Sequence, residues 1–169
     1  FYREPRRYAL STQLHFLFQR MSEMEEMGRL RKQGHLRCVS DYLIDKDPLF
    51  AQMNLERDEY ELYRRVFTEV SVEAPVPDLV IYLQASVPVL EERIHRRGAA
   101  AEQVMSREYL QRICDAYTHH FMHYTDAPLL VINAESINFV DNDEDFESLL
   151  THALGISRGR HFFNPLPNP

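Results

Sequence analysis

Pro77-Asp78-Leu79-Val80-Ile81-Tyr82-Leu83 decides the fold class. A proline and an acidic turn former open onto an unbroken apolar run rich in β-branched and aromatic residues, the pattern of a parallel strand covered on both faces. Just beyond it, Ser86 is placed to cap a helix from about Val87 to Arg97, which Gly98 ends. A loop of small residues follows, and Ser106 can cap a further helix reaching about Tyr124. Leu129 to Ile132 predicts a second buried strand, and Asp143 begins a last helix through Phe146, Leu149, Leu150 and Leu154. The tail from Gly155, with Pro165, Pro167 and Pro169, is predicted irregular.

Upstream of Pro75 the pattern is helical first. Leu10, Leu14, Leu17, Met21 and Met24 recur at three and four residues, predicting a long amphipathic helix from Pro5 to about Gln33, with Gly34 as its stop. His35 to Leu43 is expected to form a short buried strand ending in Ser40 and Asp41. A loop carrying Asp45, Lys46, Asp47 and Pro48 comes next, then a helix from about Glu56 to Val72 through Tyr60, Tyr63, Val66, Phe67 and Val70. Strands alternating with helices imply an α/β fold, a parallel sheet with helices on both faces around a single core.

Composition narrows the function. The 169 residues are 44% hydrophobic and 27% charged, which suits one globular domain. The longest apolar runs are far shorter than the roughly 20 residues that span a bilayer, so the expectation is a cytoplasmic protein without a membrane partner. Nineteen Lys plus Arg against 26 Asp plus Glu, a formal charge of -7, disfavour a broad grip on a nucleic acid polymer. Any phosphate must be held locally. Cys38 and Cys114 are too few for a disulfide framework and read as reduced, buried thiols.

Four constellations carry chemistry. Ser40-Asp41-Tyr42 falls at the expected carboxyl end of a strand, where a carboxylate can face a metal-bound phosphate or a reacting hydroxyl; a turn or cap role is the plainer reading. Gln13 and Arg20 are seven residues apart, about two helical turns, with Phe16 and Leu17 between them, a set able to read a nucleobase edge and face. Spacing alone favours a solvent-side Gln and Arg beside a core stripe. Arg93 and Arg97, at i and i+4 before Gly98, can hold one polyphosphate, and Ala99-Ala100-Ala101-Glu102-Gln103 suits a lid closing over it. Cations before a capping glycine also stabilise a helix by about 0.3–1 kcal/mol without any ligand. His119 and His123 share a helix face, but no third ligand accompanies them, so a solvated face is the better reading.

In series, these segments resemble the deoxynucleoside kinase family, in particular its bacterial deoxyguanosine and deoxyadenosine kinases. The resemblance rests on Phe1-Tyr2-Arg3-Glu4-Pro5, Leu14-His15-Phe16-Leu17-Phe18-Gln19-Arg20, Val39-Ser40-Asp41-Tyr42 with Leu49-Phe50-Ala51, the strand from Pro77 to Leu83, and Arg93-Ile94-His95-Arg96-Arg97-Gly98 followed by Glu108-Tyr109-Leu110. It implies a P-loop nucleoside/nucleotide kinase-like fold: a kinase domain over residues 1–156, with a lid at about 93–106, and an irregular tail over 157–169.

The resemblance also implies roles. Tyr2 and the lid carboxylate Glu102 would bond the sugar 3'-hydroxyl, Gln13 would pair with the base, Arg20 would lie at its edge and Phe50 would stack on its face. Asp41 would be the acid near the 5'-hydroxyl and Mg²⁺, followed here by Tyr42 and Leu43 rather than the Arg-Ser of many relatives, with Lys46 a substitute positive charge. Arg93 and Arg97 would be the lid arginines of the transferring phosphoryl group, while Ala99 stands where many relatives carry another. Asp45 or Asp47 would complete base recognition, a choice the sequence leaves open.

The implied reaction is ATP- and Mg²⁺-dependent 5'-phosphorylation of a deoxynucleoside, a purine in the branch compared, by a homodimer in nucleotide salvage. No Gly-x-x-x-x-Gly-Lys-Ser/Thr occurs in these 169 residues. The family places that loop, with its strand and helix and the usual catalytic glutamate, ahead of the segment matched by Phe1. The expectation is therefore an incomplete kinase domain, inactive by itself. The rival readings are a thymidylate-kinase-like monophosphate kinase, a noncatalytic module retaining the fold, and part of a fusion protein.

Overall fold

The structure, a computed structural model, describes residues 5–34, 37–70, 75–99, 105–135, 137 and 139–165. The chain divides into two compact units, Phe1–Pro75 and Val76–Pro169, each with its own core, rather than the single core expected from composition.

The first unit is helical. The predicted long helix is α1 (Pro5–Lys32), and Gly34 at φ 89° ends it in the left-handed region that costs glycine little. Two helices follow, α2 (Lys46–Asn54) and α3 (Arg57–Val70), and the three pack on one another. Leu17, Ala51 and Tyr63, one from each helix, form the centre, with Leu10, Leu14, Met21, Val66 and Phe67 packed around them. The loop expected at Asp45 to Pro48 is instead the start of α2. Asp45 is its N-cap residue, and Asp47 and Pro48 lie in its first turn, where a carboxylate meets the positive end of the helix dipole and proline loses no hydrogen bond.

The strand expected from His35 to Leu43 does not form over residues 37–43, which are irregular. Val39 is fully exposed, and the Ser40 hydroxyl donates to the Tyr42 carbonyl and accepts from the Tyr42 N–H, so a local turn takes the backbone bonds a ladder would need.

The second unit contains the sheet. Its described strands are β1 (Val80–Gln84), β2 (Leu129–Asn133) and β3 (Arg160–Phe163), all parallel in the order β1-β2-β3. β3 corrects the irregular tail: Leu129 to Ile132 pair with Arg160 to Phe163 in register. Helices α4 (Val87–Arg97), α5 (Arg107–His123) and α6 (Asp143–Leu154) complete the unit.

Pairing sets the faces. Tyr82 lies opposite Val131 and stacks on Phe121 of α5 with ring centroids 4.5 Å apart. Leu130 and Ile132 point the other way, into a cluster with Ala134, Ile137, Leu149 and Ala153 that α6 helps to build. Helices thus cover both faces of β2, whose side chains from Leu129 to Ile132 are all buried. β1 differs from expectation: its second face leaves Ile81 44% and Leu83 52% exposed, because the α6 cluster centres on β2.

Candidate functional site

In the first unit one carboxylate organises the polar groups. Asp47 is completely buried, and its Oδ1 accepts from the Arg20 guanidinium and from the Tyr42 hydroxyl at 2.9 Å, while Oδ2 accepts from the Tyr63 hydroxyl at 2.6 Å. Those donors come from α1, the irregular segment after it, and α3, so the Asp47 carboxylate joins four parts of the unit. The Arg20 guanidinium also lies over the Tyr42 ring, 3.9 Å from its centroid, and near the Phe16 ring at 5.1 Å. Burial, reinforced by the Asp47 carboxylate, pushes the phenols of Tyr42 and Tyr63 far above the ordinary tyrosine value. Both act as hydrogen-bond donors at neutral pH.

Gln13 and Arg20 are not the solvent-side pair that spacing alone favours. Ala9, Gln13, Leu17 and Met24 form the buried stripe of α1, and Arg20, at i+3 from Leu17, has a side chain only 21% exposed. The Gln13 side chain is 5% exposed, and its amide nitrogen is buried without a hydrogen-bond partner. Nearly all buried polar atoms in folded proteins are paired. An amide donor held dry and unbonded costs about 1–3 kcal/mol unless something arrives to accept from it.

Around Asp41 the arrangement is open. Asp41 is exposed at a bend, and its carbonyl accepts from the Lys46 ammonium at 3.4 Å. Burial lowers the Lys46 pKa, and the nearby Arg20 charge lowers it further against the opposing pull of Asp41. Lys46 thus stands beside Asp41. Phe50 lies on α2, half-buried. Among the described residues no three His, Cys, Asp or Glu side chains gather as metal ligands. A Mg²⁺ ion held by substrate phosphates and water needs only one or two carboxylates, and Asp41 fits that donor set.

In the second unit α4 runs from an N-cap at Ser86 to a C-cap at Gly98, whose φ of 71° is the left-handed ending expected of glycine. Proline at the start of the helix and His95, Arg96 and Arg97 in its last turn follow the usual polarity. The expected Ser86 cap is corrected: its hydroxyl donates to Glu135 at 3.1 Å instead of accepting from a helix N–H. The Arg93 guanidinium donates to the Ala134 carbonyl, while Arg97 is exposed in the last turn. Ser106 does cap α5, accepting from the Tyr109 N–H at 3.1 Å. Tyr2 and Glu102 lie outside the described residues.

Other expectations resolve more plainly. The His119 and His123 rings lie tilted against each other with centroids 4.9 Å apart, and His123 Nδ1 bonds the His119 carbonyl, a local helix contact. Cys38 is exposed, its Sγ 3.3 Å from the Met27 sulfur, and Cys114 is half-buried, so neither is the fully buried thiol expected. No helix among the described residues is long and apolar enough to cross a membrane.

A polar hub on three helices, an unpartnered buried amide nitrogen on the first of them, and a parallel α/β unit with arginines ending a helix agree with one family model, deoxynucleoside kinase, which matches residues 1–156. The chain belongs to the deoxynucleoside kinase family. It is 27% identical to the deoxyguanosine kinase of Bacillus subtilis, covering 90% of this chain and 75% of that one. It is 25% identical to the deoxyadenosine kinase of Lactobacillus acidophilus, covering 84% and 70%, and 30% identical to the deoxyadenosine kinase of Dictyostelium discoideum, covering 85% and 59%. Family membership makes this a kinase-type transferase whose chemistry is nucleoside phosphorylation, and its parallel sheet flanked by helices is of the family's P-loop kinase-like kind.

Sequence reasoning left Asp45 and Asp47 as equal candidates; burial singles out Asp47, whose carboxylate meets Arg20. It missed Tyr42 and Tyr63 as partners of that carboxylate. Tyr63 sits on the apolar stripe of α3, where its ring packs and only the hydroxyl reveals a polar task.

Proposed function

We propose that this kinase transfers the γ-phosphoryl group of ATP to the 5'-hydroxyl of a purine deoxynucleoside, with the base read by Gln13 and the Arg20–Asp47 pair. The observation that carries the reading is the Gln13 amide nitrogen, buried without a hydrogen-bond partner. A donor kept dry at a cost to the free protein is explained by a ligand that accepts from it. Gln and Arg are the side chains whose paired groups match the N7 and six-position edge of adenine and guanine, which supports a purine. The Asp47 carboxylate holds the guanidinium in place, and the five N–H groups of arginine leave donors for the base. Phe50 would supply the face of the base pocket, and Tyr2 and Glu102 would hold the 3'-hydroxyl.

Phosphoryl transfer asks little covalent chemistry of a protein; it asks for positioning and for positive charge where negative charge develops. Arg97 and the unspent donors of Arg93 would meet the transferring group. Asp41 would stand at the 5'-hydroxyl and be the carboxylate toward Mg²⁺, with Lys46 beside it. Mg²⁺, when bound with ATP, neutralises the phosphates. A homodimer in nucleotide salvage is the corresponding assembly and setting.

The test is phosphotransfer by the intact gene product with ATP and Mg²⁺ against a panel of deoxynucleosides. The expected result is 5'-monophosphate formation fastest with deoxyguanosine or deoxyadenosine. Arg97→Ala should lower kcat at least 100-fold with a nucleoside KM changed by less than about 3-fold. No product from any deoxynucleoside contradicts the proposal, and faster transfer to a nucleoside monophosphate favours the monophosphate kinase reading.

A further inference from the structure

The loop that leaves β2 grips α4 at two points. Glu135 accepts from the Ser86 backbone N–H and, through its other oxygen, from the Ser86 hydroxyl at 3.1 Å, so one carboxylate holds the N-cap residue of the helix by both of its donors. Arg93 donates to the carbonyl of the adjoining Ala134. Ser86 and Arg93 are seven residues apart, about 10.5 Å along the helix axis. Side chains on a helix lean toward its N-terminus, and arginine is long enough to bring its guanidinium back toward the residues that hold Ser86.

The gripping loop is itself fixed. The Ala134 N–H donates to the Gln84 carbonyl at 2.8 Å, tying it to the end of β1. The Glu135 N–H donates to Asn133 Oδ1 at 3.1 Å, and the Asn133 amide donates to Asn164 at 2.6 Å just beyond β3. Residues 133–135 are thus anchored at the carboxyl ends of all three described strands. A carboxylate at a helix N-terminus is favoured by the dipole as well as by its hydrogen bonds.

We propose that Glu135 is a positioning residue: with Arg93 it clasps α4 to the strand ends and thereby fixes where the opposite end of the helix delivers Arg97. The consequence for catalysis rests on the reading of Arg97 given above. Arg97 lies in the last turn of α4, so a pivot of the helix at Ser86 would be magnified at its guanidinium. Transition-state charge stabilisation depends on preorganised donors, and a displacement of about 1 Å can cost on the order of 100-fold in rate. In this role Glu135 acts through α4, by way of Ser86.

The experiment pairs hydrogen exchange with steady-state kinetics on the intact protein and its Glu135→Ala and Glu135→Gln variants. In Glu135→Ala the Ser86 amide should exchange at least 10-fold faster while the β2 amides keep their protection. Its kcat should fall about 10-fold with nucleoside KM within 2-fold of the parent. Glutamine retains an acceptor for the Ser86 N–H and can donate to its hydroxyl, so Glu135→Gln should restore both readouts to within about 3-fold. Unchanged Ser86 exchange in Glu135→Ala overturns the clasp. Faster exchange with unchanged kcat overturns its catalytic consequence. A parent protein that transfers no phosphoryl group overturns the functional reading, and the exchange data then decide the clasp alone.

Discussion

The two units solve the problem of a centre in opposite ways. Phe1–Pro75 buries a carboxylate satisfied by three side chains from separate segments, whereas the centre of Val76–Pro169 is an apolar strand whose side chains at Leu129, Leu130 and Ile132 are essentially inaccessible to water. A buried aliphatic side chain contributes about 1.5–3 kcal/mol whatever its precise neighbours. A buried ion pair is justified only by geometry, since desolvation offsets much of the attraction. The contrast teaches that the second unit is a platform, stable through nonspecific burial, while the first holds a polar arrangement that a plain core would not require.

The largest expected effect separates the two kinds of centre. Asp47→Ala leaves Arg20, Tyr42 and Tyr63 without their common acceptor and should cost about 3–5 kcal/mol in urea unfolding, with nucleoside binding lost as well. A loss below about 1 kcal/mol would mean that the hub is ornamental. Ile132→Ala in the sheet should cost about 2–4 kcal/mol by cavity formation, yet leave nucleoside affinity within 2-fold, and a large loss of affinity would break the division of labour.

An alkaline titration sharpens the comparison further. Tyr42 and Tyr63 have native pKa values raised by burial and by Asp47, so their contribution is complete below pH 10, the ordinary value. Above it the unfolded chain releases phenolic protons that the native state keeps, and stability should fall by about 1.4 kcal/mol per pH unit for each tyrosine until the native groups titrate. Tyr63→Phe should remove one such slope from a pH series of unfolding curves. An unchanged slope would show that Tyr63 is not held protonated by the fold.

How much of this was legible depended on whether a signal was local. The strand expected at Leu79 to Leu83 and the helix from Val87 to Arg97 were, because an apolar run, a proline at the helix start and a left-handed glycine act over a few residues. β3 was not: Arg160-His161-Phe162-Phe163 is too short a run to stand out, and β2 supplies the partner that extends it. The start of α2 was misread because Asp45, Asp47 and Pro48 suit a turn and a helix N-terminus equally. At the site, the resemblance pointed to Gln13 and Arg20, but only the packing of α1, α2 and α3 shows that Asp47 is inside and that the Gln13 amide nitrogen lacks a partner. Burial of a polar group is a tertiary property that composition and period leave blank.

The most direct test of the claim that the first unit keeps polar groups for a base is Gln13→Met, read by thermal unfolding and by calorimetric titration of deoxyguanosine and deoxyadenosine. Methionine approximates the shape of glutamine without the unbonded donor, so the free protein should gain about 1 kcal/mol of stability while nucleoside affinity falls at least 10-fold. A variant that is less stable and binds as tightly as the parent would contradict the account.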